Sequence, residues 1–313
     1  MALNNIICIA GPTASGKTAL AVELAKELNG EVVSCDSMQV YRRMDIGTAK
    51  PTPDEMQDIV HHMLDVADPN EDFSVSRYCC LASRIVDDII ARGKTAIIAG
   101  GTGLYMDSLI KGNDFAPFPS TGMREKLEAQ ADAEGMDAML ALLHNIDPEA
   151  AARLHLKDRK RIIRALEVYY ETGQTITEHN RKTHAIPPRY TPLWLGLDFD
   201  PRAELYNRID RRVDVMLEAG LVEEIQSLLN QGIPAKCTAM QAIGYKEFVD
   251  ALSGKITIEE AADQVRQASR HYAKRQLTWF RRNPNIHWLI RKPDDDFGKI
   301  LEQARQIINE FDN

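Results

Sequence analysis

Gly11-Pro12-Thr13-Ala14-Ser15-Gly16-Lys17-Thr18 (GPTASGKT) decides how this chain is read. The stretch fits G-x-x-x-x-G-K-[ST] at every fixed position. An Ile-rich apolar run, Asn4–Ala10, leads into it and reads as a buried parallel strand. Thr18–Leu28 follows with Leu20, Leu24 and Leu28 at helical spacing, and Asn29-Gly30 ends that helix. Glycines let backbone N–H groups turn inward around a diphosphate, and the helix N-terminus adds partial positive charge. Lys17 is placed to reach the outer phosphate, and Thr18 to offer its hydroxyl to Mg²⁺. The loop therefore reads as a di- or triphosphate site. By itself it does not say whether phosphoryl transfer occurs.

Outward from the loop, the pattern alternates. Glu31–Cys35 reads as a second strand, Phe73–Arg92 as a helix with Ser74 as a candidate cap, and Thr95–Ala99 as a third strand. Strand, helix, strand, helix, strand is the α/β pattern. After Gly112 the signal changes. Asn113–Gly122 reads as a linker, Met123–Lys182 is helical, and Ile186-Pro187-Pro188 reads as the return. Leu193–Phe199 resumes as a strand. Helices are expected at Arg202–Ala219, Leu221–Gln231 and Ile258–Arg282, a strand at Ile286–Ile290, and a last helix near Phe297–Phe311. The expected architecture is α/β, a parallel sheet core like that of the P-loop NTPases, interrupted by an all-helical domain. The core is assigned to 1–114 and 189–313, and the insertion to 115–188.

Composition narrows the classes. With 313 residues, 44% of them hydrophobic and 27% charged, the chain suits a folded enzyme and not a disordered one. No apolar run approaches the roughly 18 residues of a membrane helix. Met1–Ala10 lacks a basic n-region, so no signal peptide is expected. Five cysteines, Cys8, Cys35, Cys79, Cys80 and Cys237, with no C-x-x-C, argue against a disulfide framework or zinc finger. A reducing cytoplasm is the expected home. The net charge of −8 hides an asymmetry. Residues 1–150 carry 12 basic and 23 acidic side chains, whereas 151–313 carry 26 and 23. Within 266–291 stand seven basic residues and no acid: Arg266, Arg270, Lys274, Arg275, Arg281, Arg282 and Arg291. Clustered basic surface on an acidic chain is what a polyanion site confined to one face looks like. A solvated helix face is the plainer alternative.

Asp36 follows the second strand, at the edge of an open sheet where ligands collect. It could cap a turn, meet Mg²⁺, or act as a general base. The run from Asp36 to Pro51 is dense in polar groups without helical or strand period. Gly100-Gly101-Thr102-Gly103, after the third strand, is a second glycine turn at the same edge.

Together these blocks resemble one family, the tRNA dimethylallyltransferases (tRNA isopentenyltransferases), in bacterial form. The matching blocks are GPTASGKT at 11–18, DSMQVYRRMDIGTAKP at 36–51, GGTGLY at 100–105 and KRIIRALEVY at 160–169. RIDRRVDVMLEAGLVEE at 208–224, QAIGYKE at 241–247 and KRQLTWFR at 274–281 continue in the family's order. The resemblance implies transfer of a dimethylallyl group from dimethylallyl diphosphate to N6 of the adenosine 3′ of a tRNA anticodon. Gly11, Pro12, Thr13, Ala14, Ser15, Gly16, Lys17, Thr18 and Arg208 are then expected to hold diphosphate, with Mg²⁺ on Thr18. Asp36, Lys17, Thr18 and Arg212 are expected to carry the chemistry, Asp36 as the base.

The tRNA contacts it implies are Asp36, Ser37, Met38, Gln39, Thr102, Arg124, Lys160, Arg161, Ile162, Ile163 and Arg164. Gln241, Ala242, Ile243, Gly244, Tyr245, Lys246, Lys274, Arg275 and Arg281 complete the set. An ion pair of Arg208 or Arg212 with Asp210 or Asp214 is the alternative for that helix. Trp279 could stack on a base but suits core packing, and His61-His62 lacks a third ligand at metal spacing. The anticodon stem-loop is the expected partner, with no membrane, and the chain is expected to act as a monomer. Competing readings are a small-molecule kinase, a free-adenylate isopentenyltransferase and a non-catalytic tRNA-binding module. The first leaves the basic C-terminal segments without a role. The second needs no basic insertion, and the third conflicts with an intact Lys17, Thr18 and Asp36.

Overall fold

The computed structural model describes residues 6–112, 121–185 and 187–312. The start of the first expected strand (4–5), positions 113–120 of the expected linker and position 186 of the expected return lie outside the described residues. The chain divides into two compact units: Met1–Gly112 with Arg189–Asn313, and Asn113–Pro188.

The first unit begins with β1 (Ile6–Ala10), α1 (Lys17–Glu27), β2 (Gly30–Cys35), the short α2 (Pro53–Met56) and β3 (His61–His62). It continues through α3 (Val75–Ala91), β4 (Thr95–Gly100) and α4 (Gly103–Lys111). The second unit holds α5 (Met123–Glu134), α6 (Met136–Ile146), α7 (Pro148–Ala151), α8 (Arg159–Thr172) and α9 (Ile176–Ala185). The first unit resumes with β5 (Leu193–Phe199), α10 (Arg202–Glu218), α11 (Leu221–Asn230), α12 (Lys246–Leu252), α13 (Ile258–Phe280), β6 (Ile286–Arg291) and α14 (Phe297–Asp312).

The sheet runs β3-β2-β4-β1-β5-β6, and every pairing is parallel. Its central strands are apolar throughout because both faces are covered. One face packs Ile7, Ile9, Val32, Ile97 and Leu195 against Leu20 and Leu24 of α1 and Ile300 and Ile308 of α14. Phe199, Leu205, Ile209, Ala273 and Leu277 form a second cluster that joins β5, α10 and α13. In the second unit Leu127, Met139, Leu143, Ile162, Ile163 and Leu166 make a separate core.

Several boundaries shift for local reasons. α3 starts at Val75, not Phe73, because the Ser74 side chain caps it by accepting from Arg77 N–H. α13 stops at Phe280, short of Arg282, because Pro284 disfavours helical backbone at Asn283. The helices α4 and α12 and the two-residue edge strand β3 go beyond the sequence reading.

In the sheet order, the connection from β1 passes β4 to reach β2, while the connection from β4 passes β1 to reach β5, so the two run toward opposite edges. Ligands collect in the crevice that such a reversal opens at the carboxyl ends of the strands. The loops after β1, β2 and β4 all emerge there.

Candidate active site

The loop after β1 turns into α1 through Gly16, whose φ of +94° an L side chain would strain. Ala14 also adopts a left-handed φ of 61°, strain that clusters at ligand clamps. Lys17 folds its amine back to donate to the Pro12 carbonyl at 2.6 Å. Burial, and then the charge of Arg212, pull that amine down to about 7, while Asp36 opposes the shift.

Two arginines of α10 reach the same loop from above. Arg208 Nε donates to the Ala14 carbonyl at 2.9 Å, and its guanidinium lies 5.4 Å from the Phe199 ring centroid. Arg212 donates to Thr13 Oγ1 at 3.4 Å. Burial lowers the Arg212 pKa, with Asp36 as the leading opposing charge. The alternative ion pairs are occupied otherwise. Asp210 pairs with Arg270 and Asp214 with Arg266, both from α13. Arg208 and Arg212, one helical turn apart, thus face the phosphate loop together.

Asp36 caps the turn after β2: its Oδ1 accepts from Met38 N–H at 2.8 Å and Gln39 N–H at 3.3 Å. Ser37 N–H donates to Thr102 Oγ1 at 3.0 Å, which ties the β2 and β4 loops. Tyr272 of α13 hydrogen-bonds Thr102, and burial pushes its phenol up to about 12. Gln276 makes a further tie that the sequence reading did not single out. Its buried amide accepts from Thr13 N–H and donates to the Gly101 carbonyl, both at 2.9 Å. One side chain therefore couples the two glycine turns.

A cavity of about 400 Å³ opens beside this cluster. Thr13, Asp36, Ser37, Met38, Arg212, Gln241, Ala242, Ile243, Gly244, Lys246 and Arg275 line it. Ile209, Val213, Met216 and Val265 supply an apolar wall. The site thus sets charged groups beside a greasy surface, as a ligand with a diphosphate head and a hydrocarbon tail would require.

Other expected residues lie elsewhere. Gln39 turns away from the cavity, accepting from Ser34 Oγ and donating to the Ala49 carbonyl. Tyr245 is fully buried. Arg281 pairs with Asp198 at 2.8 Å. Trp279 donates from Nε1 to Asp107 at 2.9 Å, with Arg282 over its ring, so it joins α13 to α4. Lys274 is exposed on α13. In the second unit Arg124 pairs with Glu128, Arg161 with Asp158 and Arg164 with Glu167, while Lys160 is exposed. Ile162 and Ile163 correct the sequence reading. Their side chains are 0% and 1% exposed and fill the helical core, so they cannot meet RNA directly.

His62 Nε2 sits 2.7 Å from Glu31 Oε2, at the sheet end away from the loops. Among the described residues no group of three or more His, Cys, Asp or Glu could hold a metal ion. A Mg²⁺ here would take few protein ligands and complete its shell with water and phosphate oxygens, a habit of that ion. The Thr18 hydroxyl at the start of α1 suits such a site.

A parallel sheet, a glycine-rich loop feeding a helix, and cationic side chains converging on that loop define an α/β protein of the phosphate-loop class. Comparison with known proteins narrows the class. The model of the IPP transferase family matches residues 39–283, and the chain belongs to that family. The tRNA dimethylallyltransferase of Caldanaerobacter subterraneus subsp. tengcongensis is 47% identical over 98% of this chain and 96% of its own length. That of Halalkalibacterium halodurans is 46% identical over 97% and 96%. The solved full-length tRNA isopentenylpyrophosphate transferase from Bacillus halodurans has a TM-score of 0.72 at 43% identity, covering 98% of this chain and 97% of that one. A eukaryotic dimethylallyltransferase acting on tRNA has a TM-score of 0.84 at 32% identity, covering 98% and 79%. The relatives that span nearly the whole chain include the phosphate loop, which the family model does not reach.

Proposed function

We propose that this chain transfers the dimethylallyl group of dimethylallyl diphosphate to N6 of the adenosine 3′ of a tRNA anticodon, releasing diphosphate. The observation that carries the reading is the meeting of Lys17, Arg212 and Asp36 at the carboxyl ends of the strands, beside a cavity with an apolar wall.

The chemistry follows from those groups. The loop amides, Lys17, Arg208 and Arg212 stabilise the charge that grows on the diphosphate as its bond to the allylic carbon breaks. Mg²⁺ held by Thr18 and phosphate oxygens would add Lewis-acid stabilisation of the same charge. N6 of adenine forms the new bond to that carbon, and the leaving diphosphate keeps the electron pair. The amine must lose a proton, and Asp36 takes it. Asp36 Oδ1 is committed to the Met38 and Gln39 amides, so Oδ2 is the accepting oxygen. Thr102 and Tyr272 hold the acceptor side of the site.

The target base must leave its loop to enter a protein cavity. Lys160, Arg161 and Arg164 in the second unit, with Lys274 and Arg275 in the first, supply cationic side chains for the backbone. The reaction sits in the cytoplasm with its tRNA, and no helix among the described residues is long and apolar enough to cross a membrane.

The test is a transfer assay with Mg²⁺, labelled dimethylallyl diphosphate, and unmodified tRNA or AMP as parallel acceptors. Label on tRNA alone is expected. Label on AMP alone would move the function to the free nucleotide, and label on neither would reopen the kinase and tRNA-binding readings.

A further inference from the structure

Glu224 of α11 lies outside the cavity, yet it holds two of the cavity's walls. Its Oε2 accepts from Asp45 N–H and Ile46 N–H, both at 2.8 Å. Its Oε1 accepts from Gly47 N–H at 3.2 Å and from the Tyr245 hydroxyl at 2.6 Å. Four donors, three of them backbone amides from one loop, thus converge on one carboxylate. A carboxylate has two oxygens with about four lone-pair sites, enough to accept all four.

The clamp is also steric. A Cβ on Gly47 would lie 2.4 Å from the Tyr245 ring, so the backbone seats flat against that ring. Gly47 and Thr48 line one wall of the cavity, and Ala242, Ile243, Gly244 and Lys246 another. The first wall belongs to the loop after β2, and the second runs into the first residue of α12. Glu224 is the shared anchor, and Gln39 holds the far end of the first loop through the Ala49 carbonyl.

We propose that Glu224 is a positioning residue for the nucleoside acceptor. Through Gly47 and Tyr245 it sets the spacing of the two walls between which the adenosine must sit. The inference rests on the transfer reading above. It makes a claim about one substrate only, because none of the groups Glu224 holds belongs to the phosphate loop. Loosening the clamp should therefore cost the acceptor and spare the donor.

Glu224→Gln keeps the shape but turns one acceptor into a donor. The Tyr245 hydroxyl can rotate to accept from the new amide, but a backbone N–H cannot, so at least one is left facing a donor. Bonds to charged groups are the strong ones, and kcat/KM for tRNA is expected to fall about tenfold in this variant, with KM for dimethylallyl diphosphate within about twofold of wild type. Tyr245→Phe removes one bond and should lower kcat/KM for tRNA about threefold with the same split. If Glu224→Gln fails to fold, Tyr245→Phe decides the matter. Unchanged tRNA kinetics, or a donor KM that moves as far as the acceptor KM, would overturn the assignment. A wild-type chain that labels no tRNA would overturn the transfer reading and this inference with it. Wild-type transfer without the split in the variants would overturn this inference alone.

Discussion

Raising the pH strips Lys17 of its proton earlier than any ordinary lysine, and this gives a handle on the donor site. The amine titrates at about 7, chiefly because it is buried and also because Arg212 stands near it. A diphosphate in the loop supplies the missing counter-charge and lifts the amine back toward its usual range. Binding at about pH 8 should therefore take up close to one proton, of the order of 0.9 per site. Above about pH 7, donor affinity should fall about tenfold per unit until the bound amine itself titrates. Calorimetric titration of inorganic diphosphate in two buffers of different ionisation heat reads the uptake directly. The ligand's own ionisation is subtracted with Lys17→Ala, which should bind more weakly at low pH and lose the Lys17 share of both effects. Arg212→Met should move the break to higher pH. The same amine affects the donor-free fold. Between about 7 and the ordinary 10.5 the unfolded chain holds the extra proton, so Lys17 makes stability rise with pH across that window. Equal proton uptake and equal slope in wild type and Lys17→Ala would refute the reasoning.

Two further outcomes are expected. Asp36→Asn keeps an acceptor for the Met38 and Gln39 amides but removes the base, so kcat should fall about 10²-fold while tRNA affinity in a filter-binding assay changes little. Converting Lys160, Arg161 and Arg164 together to Ala should flatten the salt dependence of tRNA binding; an unaltered slope would leave those residues as a solvated helix face.

Much of the core can be read from the chain because its signals are local. The phosphate loop, the apolar strands and the helix repeats each announce themselves within a dozen or so residues. The change of pattern after Gly112 marks the insertion for the same reason. What escapes is long-range. Gln276 sits in a helix between polar and apolar neighbours, and nothing nearby says that its amide is buried against Thr13 and Gly101. Glu224 looks like one more acid in the first turn of a helix, while its partners lie at 45–47 and 245. The acid-free run at 266–291 looks uniformly cationic, yet Asp210, Asp214 and Asp198 arrive from other elements to pair with Arg270, Arg266 and Arg281. Segment charge overstates the free positive surface whenever the counter-ions come from elsewhere in the fold. Ile162 and Ile163 teach the converse. They stand among basic residues in the block KRIIR, but helical spacing sends them to the core.

The insertion leaves the first unit after Gly112, and the chain re-enters it at Arg189. At that crossing Tyr190 N–H donates to the Ile110 carbonyl at 3.1 Å, and Tyr190 and Arg189 both bond Asp87 on α3. Exit and entrance are therefore neighbours, stitched together by the sheet-bearing unit itself. A few turn residues could join Gly112 to Arg189 without disturbing a strand. The helical segment carries its own apolar centre, separate from the clusters that cover the sheet. The arrangement suits 113–188 to vary as a cassette: its length could change, or a relative's segment replace it, while the strand ends that carry the chemistry keep their own connections.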